Sequence, residues 1–133
     1  MKKIFSLLLF FVSIFNSIHS NALSLGNIQI ESSLNQALRA TIQIKNAESF
    51  NSEEIIVRVA DKKHFTQAGI EYLHFYNQLK FTVSKTGEEN IKVKIQSHDP
   101  VVEPFLNFII EMQTPQGKSF KQYTLLVEPK SYQ

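Results

Sequence analysis

The residues of this chain that could do chemistry are few and scattered. Of its four histidines, His19 lies in an amino-terminal apolar segment, and His64, His74 and His98 share no H-x-x-x-H spacing. No cysteine exists to join them, so thiolate nucleophiles, thiolate zinc sites and redox chemistry are excluded. The acids that could act in glycan cleavage are Glu53-Glu54, Glu88-Glu89, Glu111, and Asp99 with Glu103. Such cleavage needs two carboxylates flanking a cleft. Glu53 and Glu54 would point to opposite sides of a strand, Glu88 and Glu89 sit in a turn, and only Asp99 and Glu103 share a loop. No serine stands in G-x-S-x-G, and four glycines leave no glycine-rich phosphate loop. Neither an enzyme nor a cofactor or metal site is expected.

The most unusual local feature is Ser97-His98-Asp99-Pro100-Val101-Val102-Glu103-Pro104-Phe105. Its two prolines fix an extended loop with hydrophobic residues between them. Two readings stand side by side. Val101, Val102 and Phe105 could pack inward at a corner where the chain crosses between sheets, or the loop could display Glu103 and the valines to a partner. Asp99, Pro100, Val101, Val102, Glu103 and Pro104 are therefore the candidate partner-binding residues. An exposed edge strand that extends a partner's sheet is the other candidate surface.

Charge narrows the partner. The 133 residues carry 14 Lys+Arg against 12 Asp+Glu, but Lys2 and Lys3 precede an apolar run, and without them the balance is zero. A neutral domain has no net field for nucleic-acid phosphates, so nucleic acid is not an expected partner.

The run from Ile4 to Phe15 has the length of a signal-peptide core, about a dozen residues, where a membrane span needs about 20. Polar residues close it, and Ser20-Asn21-Ala22 offers small residues for cleavage. The expectation is a signal peptide over 1–22 and one domain over 23–133, with a cut after Ser20 or an uncleaved anchor as alternatives. Two lysines before a short apolar core suit a bacterial exported protein, placing the product in the periplasm or outside the cell. No stable membrane span would remain after cleavage, and without cysteine a lipoprotein is excluded.

The remainder reads as strands. Apolar residues alternate with polar ones at Ile28 and Ile30, along Leu38–Ile44, Ile55–Val59 and Leu79–Val83, and again along Ile91–Ile95. Phe105–Gln113 is apolar on both faces and is expected at the centre of a sheet. Its partner, Phe120–Glu128, buries Tyr123, Leu125 and Val127, with Phe120 out of phase, which a bulge or a twist near Lys121 would reconcile. Thr86–Asn90 and Thr114–Lys118 read as hairpin loops. Asp61 can cap a short helix through Ala68 that Gly69 ends, with Phe65 and Ala68 facing the core. About seven strands and one short helix make an all-β, antiparallel, immunoglobulin-like β-sandwich.

Four stretches, in order, carry a resemblance: Leu25-Gly26-Asn27-Ile28 with Ser33-Leu34-Asn35-Gln36-Ala37-Leu38-Arg39-Ala40-Thr41-Ile42; Phe65-Thr66-Gln67-Ala68-Gly69-Ile70; Pro100 with Glu103-Pro104-Phe105-Leu106-Asn107-Phe108; and Tyr123-Thr124-Leu125-Leu126-Val127-Glu128-Pro129. Together they resemble the amino-terminal periplasmic domain of FimV-type proteins, over essentially all of the chain after the leader. The resemblance implies a non-enzymatic scaffold in type IV pilus assembly, twitching motility or polar envelope organisation. Its expected partners are envelope proteins of the pilus machinery or a longer FimV-like protein. Family members continue into a peptidoglycan-binding LysM module, a membrane span and cytoplasmic repeats. This sequence shows none of these, so peptidoglycan stays a possible partner without that module. The expected product is a free-standing paralogue or split partner; the alternative is a cell-wall-binding or envelope-stress domain unrelated to pili.

Overall fold

The computed structural model describes residues 22–87 and 90–131. The expected leader, Ala22 apart, and the Glu88-Glu89 tip of the first hairpin lie outside the described residues. Among the described residues seven strands form: β1 (Ser24–Ile30), β2 (Ala37–Lys45), β3 (Ile56–Val59), β4 (Lys80–Thr86), β5 (Asn90–Pro100), β6 (Phe105–Thr114) and β7 (Gly117–Leu126). They pair antiparallel in two sheets, of order β1-β2-β5-β4 and β3-β6-β7. That distribution is the one found in constant-type immunoglobulin domains. The disulfide that commonly joins the sheets of antibody domains is impossible here, because the chain lacks cysteine.

Side-chain alternation builds the core. Leu38, Ala40, Ile42 and Ile44 of β2 and Ile91, Val93 and Ile95 of β5 face Leu106, Phe108, Ile110 and Met112 of β6, all buried. Strand β6 is central in its sheet, as its two apolar faces require.

The two open sides of the sandwich are each closed by a tyrosine hydroxyl. On the first side β1 carries one extra residue between its pairings Leu25 with Ile44 and Ile28 with Ile42. At this bulge Gly26 lies so close to β2 that a Cβ would stand 2.5 Å from the Gln43 carbonyl oxygen. The bulge leaves Gly26 and Asn27 out of the ladder register. Tyr123 Oη donates to Gly26 O at 2.7 Å, and Lys121 Nζ reaches Leu25 O and Gly26 O at 3.2 Å each. Lys121 also sits 5.3 Å above the Tyr123 ring, a cation–π contact. On the second side β3 is short and leaves β6 after Val59, with a last bond from Ala60 N–H to Ile109 O. The Tyr76 hydroxyl then takes the missing strand's place. It accepts from Asn107 N–H at 3.1 Å and donates to Asn107 O at 2.8 Å.

Three details differ from expectation. Helix α1 (Lys62–Ala68) ends at Gly69 with φ 70° as anticipated, but Asp61 caps only through its backbone and Ala68 is exposed. With fewer than two turns, the helix drives one side chain inward, Phe65, against Tyr72 and Tyr76. No bulge occurs near Lys121, since β6 and β7 pair without interruption from Phe105–Leu126 to Thr114–Gly117. Phe120 keeps its opposite phase and lies on the outer face, its ring 4.2 Å from that of His64. Two short 3-10 turns, Ser52–Glu54 and His74–Gln78, were not anticipated. Among the described residues no helix is long and apolar enough to cross a membrane.

The first-side clasp makes stability depend on alkaline pH. Burial pushes the Tyr123 phenol up to about 12 from an ordinary value of 10.0. The unfolded chain therefore ionises first, and the stability this tyrosine contributes is complete below pH 10 and lost as pH approaches 12. Tyr123→Phe should cost about 1 kcal/mol at neutral pH and flatten the fall of melting temperature across that alkaline window. Gly26→Ala should cost about 1–3 kcal/mol in denaturant unfolding, because its methyl group meets backbone rather than a movable side chain.

Candidate functional site

The Asp99–Pro104 segment carries the chain from the four-stranded sheet to the three-stranded one. Strand β5 ends irregularly: Arg39 pairs with Gln96, but Ala37 pairs with Pro100, leaving extra residues on β5. Side chains fill the resulting gap. Ser97 Oγ accepts from Leu38 N–H at 2.8 Å and donates to Asp99 O at 2.7 Å. Gln78, at the end of its 3-10 turn, accepts on Oε1 from His98 N–H at 3.0 Å and Asp99 N–H at 2.7 Å. Its Nε2 donates to Asp99 Oδ2 at 3.2 Å. The hydrogen bond with His98 Nδ1, helped by that from Gln78, holds the Asp99 carboxyl below its usual range.

Past Pro100 the loop is tied at both ends. Val101 N–H donates to Gln36 O at 2.9 Å, Val101 O accepts from Asn35 N–H at 2.7 Å, and Pro104 O accepts from Val127 N–H at 2.7 Å. The β1–β2 turn reaches the carboxy-terminal segment as well, through Leu34 N–H to Glu128 O at 2.8 Å. Asn35 holds φ 66°, a left-handed conformation that asparagine tolerates better than most residues. Three segments distant in sequence therefore meet at one end of the sandwich.

The two sequence readings of this loop are divided by residue. Val101 is buried at 1% exposure and belongs to the core, so in the folded domain it cannot be displayed. Val102 is 72% exposed, and Pro100, Glu103 and Pro104 are also at the surface. Phe105, expected to pack inward, is 66% exposed and stands directly opposite Leu126, itself 52% exposed. This pair was not among the candidates. Its signal lay in strand phase: inward Leu106 and Phe108 force Phe105 outward, and inward Leu125 and Val127 do the same to Leu126.

The corner offers exposed contact area and little enclosed volume. The adjoining cavity, lined by Leu73, Phe75, Val101, Val102, Glu103 and Leu106, measures about 40 Å³. Small-molecule sites usually occupy several hundred. Asp99 already holds its partners, and Glu111 is buried against the Arg58 Nε, with Lys118 Nζ 3.8 Å away. That carboxylate raises the Arg58 guanidinium further above its ordinary range. Among the described residues no three His, Cys, Asp or Glu gather as a metal site, and His64, His74 and His98 remain apart.

The division of the loop predicts two different outcomes for neighbouring valines. Val101→Ala should cost about 2–3 kcal/mol in denaturant unfolding through lost burial and a residual cavity. Val102→Ala should stay within about 0.5 kcal/mol of the parent.

Comparison with known proteins agrees with this architecture. A family model described as the FimV N-terminal domain, an Ig-like domain, matches residues 23–130. The protein named "Motility hub protein FimV" from Pseudomonas aeruginosa strain PAO1 is 35% identical over 121 residues, and its counterpart in strain UCBPP-PA14 aligns equally. The alignment takes in 90% of this chain but only 13% of either relative, so the chain spans a small part of their length. No solved structure matches. With a family model covering nearly all of its folded portion, the chain belongs to the FimV N-terminal Ig-like domain family.

Proposed function

We propose that this protein is a non-enzymatic interaction module, exported to the periplasm, that serves as an accessory of type IV pilus assembly or motility. The observation that carries the reading is the family match, together with relatives named as motility hub proteins. The geometry supports it. The corner from Val102 to Phe105, with Leu126 beside it, combines exposed apolar side chains with a backbone already fixed by hydrogen bonds at both ends. Such a surface loses little conformational freedom when a partner docks. The partner in this reading is an envelope protein of the pilus machinery or a longer FimV-like protein. Val102, Glu103 and Pro104 form the contact with Phe105 and Leu126, while Asp99 and Pro100 hold its shape.

Capture from cross-linked envelopes, with the full chain carrying a carboxy-terminal tag and expressed in a piliated cell, tests the proposal. Recovery of pilus-machinery proteins or a longer FimV-like protein is expected. The triple variant Val102→Ala/Glu103→Ala/Phe105→Ala should reduce that recovery at least tenfold, about 1.4 kcal/mol, with a nearly unchanged melting temperature. Capture of peptidoglycan fragments alone would favour the cell-wall reading, and recovery unaffected by the triple variant would remove this corner from the interface.

A further inference from the structure

Although the domain is neutral beyond Lys2 and Lys3, the fold does not distribute its charge evenly. The outward side chains of the four-stranded sheet fall into rows fixed by strand register. Lys45 shares a row with Ser24 of β1, Gln43 with Lys92 and Ser84, Thr41 with Lys94 and Thr82, and Arg39 with Gln96 and Lys80. Lys45, Lys92, Lys94 and Lys80 therefore step diagonally across β2, β5 and β4, with neighbouring positions about 7 Å apart. All four are exposed, and among the described residues none is in a salt bridge. Glu31, which accepts from Thr41 at 3.0 Å, is the one carboxylate among the described residues of these rows.

A second feature lies on the same face. Over the β1 bulge, where Gly26 and Asn27 leave the ladder, a cavity of about 270 Å³ opens between Lys45 and Lys92. Thr41, Gln43 and Gln29 contribute its walls. The lysine track and this hollow are continuous.

We infer that the outer face of the four-stranded sheet binds an acidic polysaccharide, a linear glycan bearing carboxylates, laid along the Lys45–Lys92–Lys94–Lys80 diagonal. The side chains between the lysines decide among polyanions. Thr41, Thr82, Ser84, Gln43 and Gln96 offer hydroxyl and amide groups that match sugar hydroxyls. Among the described residues the large exposed hydrophobics, Ile56, Val102, Phe105, Phe120 and Leu126, all lie on the other sheet or its loop. The described residues of this face thus include no aromatic platforms of the kind that hold single-stranded nucleic acid and no apolar anchors of the kind that enter a lipid surface. The surface is separate from the Val102–Leu126 corner, so neither proposal depends on the other.

Binding of polygalacturonate to the full chain, purified after export, tests the inference. Neutral dextran, single-stranded DNA and anionic phosphatidylglycerol vesicles serve as comparisons at matched ionic strength. Polygalacturonate should bind in a salt-dependent way and more tightly than the other three. Lys92→Gln/Lys94→Gln should weaken binding about tenfold and lower the slope of log affinity against log salt by one to two. Lys45→Gln/Lys80→Gln should act in the same direction. Lys62→Gln/Lys63→Gln on α1, with the same change in net charge, should stay within about twofold of the parent. All these lysines are exposed, so melting temperatures should hold. Equal losses in the α1 control, DNA or vesicles binding as tightly as polygalacturonate, or no salt-dependent binding would each overturn the inference.

Discussion

A buried backbone carbonyl at a strand irregularity needs a donor, and two carbonyls beside the β1 bulge tie the two sheets of this domain together. At the bulge that leaves Gly26 and Asn27 out of register, Leu25 O and Gly26 O accept from side chains of the opposite sheet. An unsatisfied buried carbonyl costs about 1–3 kcal/mol, so the bulge is tolerable only because Tyr123 and Lys121 arrive from β7. The dependence runs the other way as well. A tyrosine at 5% exposure needs an acceptor for its hydroxyl, and a lysine facing a sandwich interior needs oxygen for its ammonium. In a domain without a disulfide, this polar clasp ties the first strand to the last.

The clasp and the exposed corner occupy opposite ends of β1. Where β1 turns into β2, Leu34, Asn35 and Gln36 bind both the crossing loop and the carboxy-terminal segment. The corner thus inherits its rigidity from three separate stretches of chain. That is why it can expose Val102, Phe105 and Leu126 without collapsing them onto the core, which Val101 and Leu106 already fill. Exposed apolar groups on a backbone held in this way form a defined surface rather than a mobile one.

Strands were legible from sequence because alternation is a local signal, and the centrality of β6 followed from its two apolar faces. The 3-10 turn at His74–Gln78 was not legible. Its purpose is to bring Tyr76 to Asn107 and Gln78 to Asp99, contacts spanning 31 and 21 residues that no local pattern encodes. The opposite phase of Phe120 was legible in the alternation, and β7 accommodates it without the expected bulge. An aromatic residue looks as though it must be buried, yet His64 provides a partner on the outer face. The candidate loop was located by its prolines, but its inward and outward residues were not separable until Val101 was seen bonded to Gln36. The lysine diagonal is a mixed case. Alternation alone places each lysine outward, whereas the adjacency of β2, β5 and β4 is a property of topology.

The bulge has one more consequence, for the sheet edges. Strands β1 and β7 are edges, and an edge strand with a flat row of free amides and carbonyls templates pairing with any other chain. Here the bulge breaks the row in β1, and β7 carries an inward-facing charge, Lys121, at mid-strand. A second molecule seeking to extend either sheet on this side would meet an interrupted ladder or would have to bury an ammonium. The devices that fasten the two sheets together therefore also oppose sheet extension along this side of the domain.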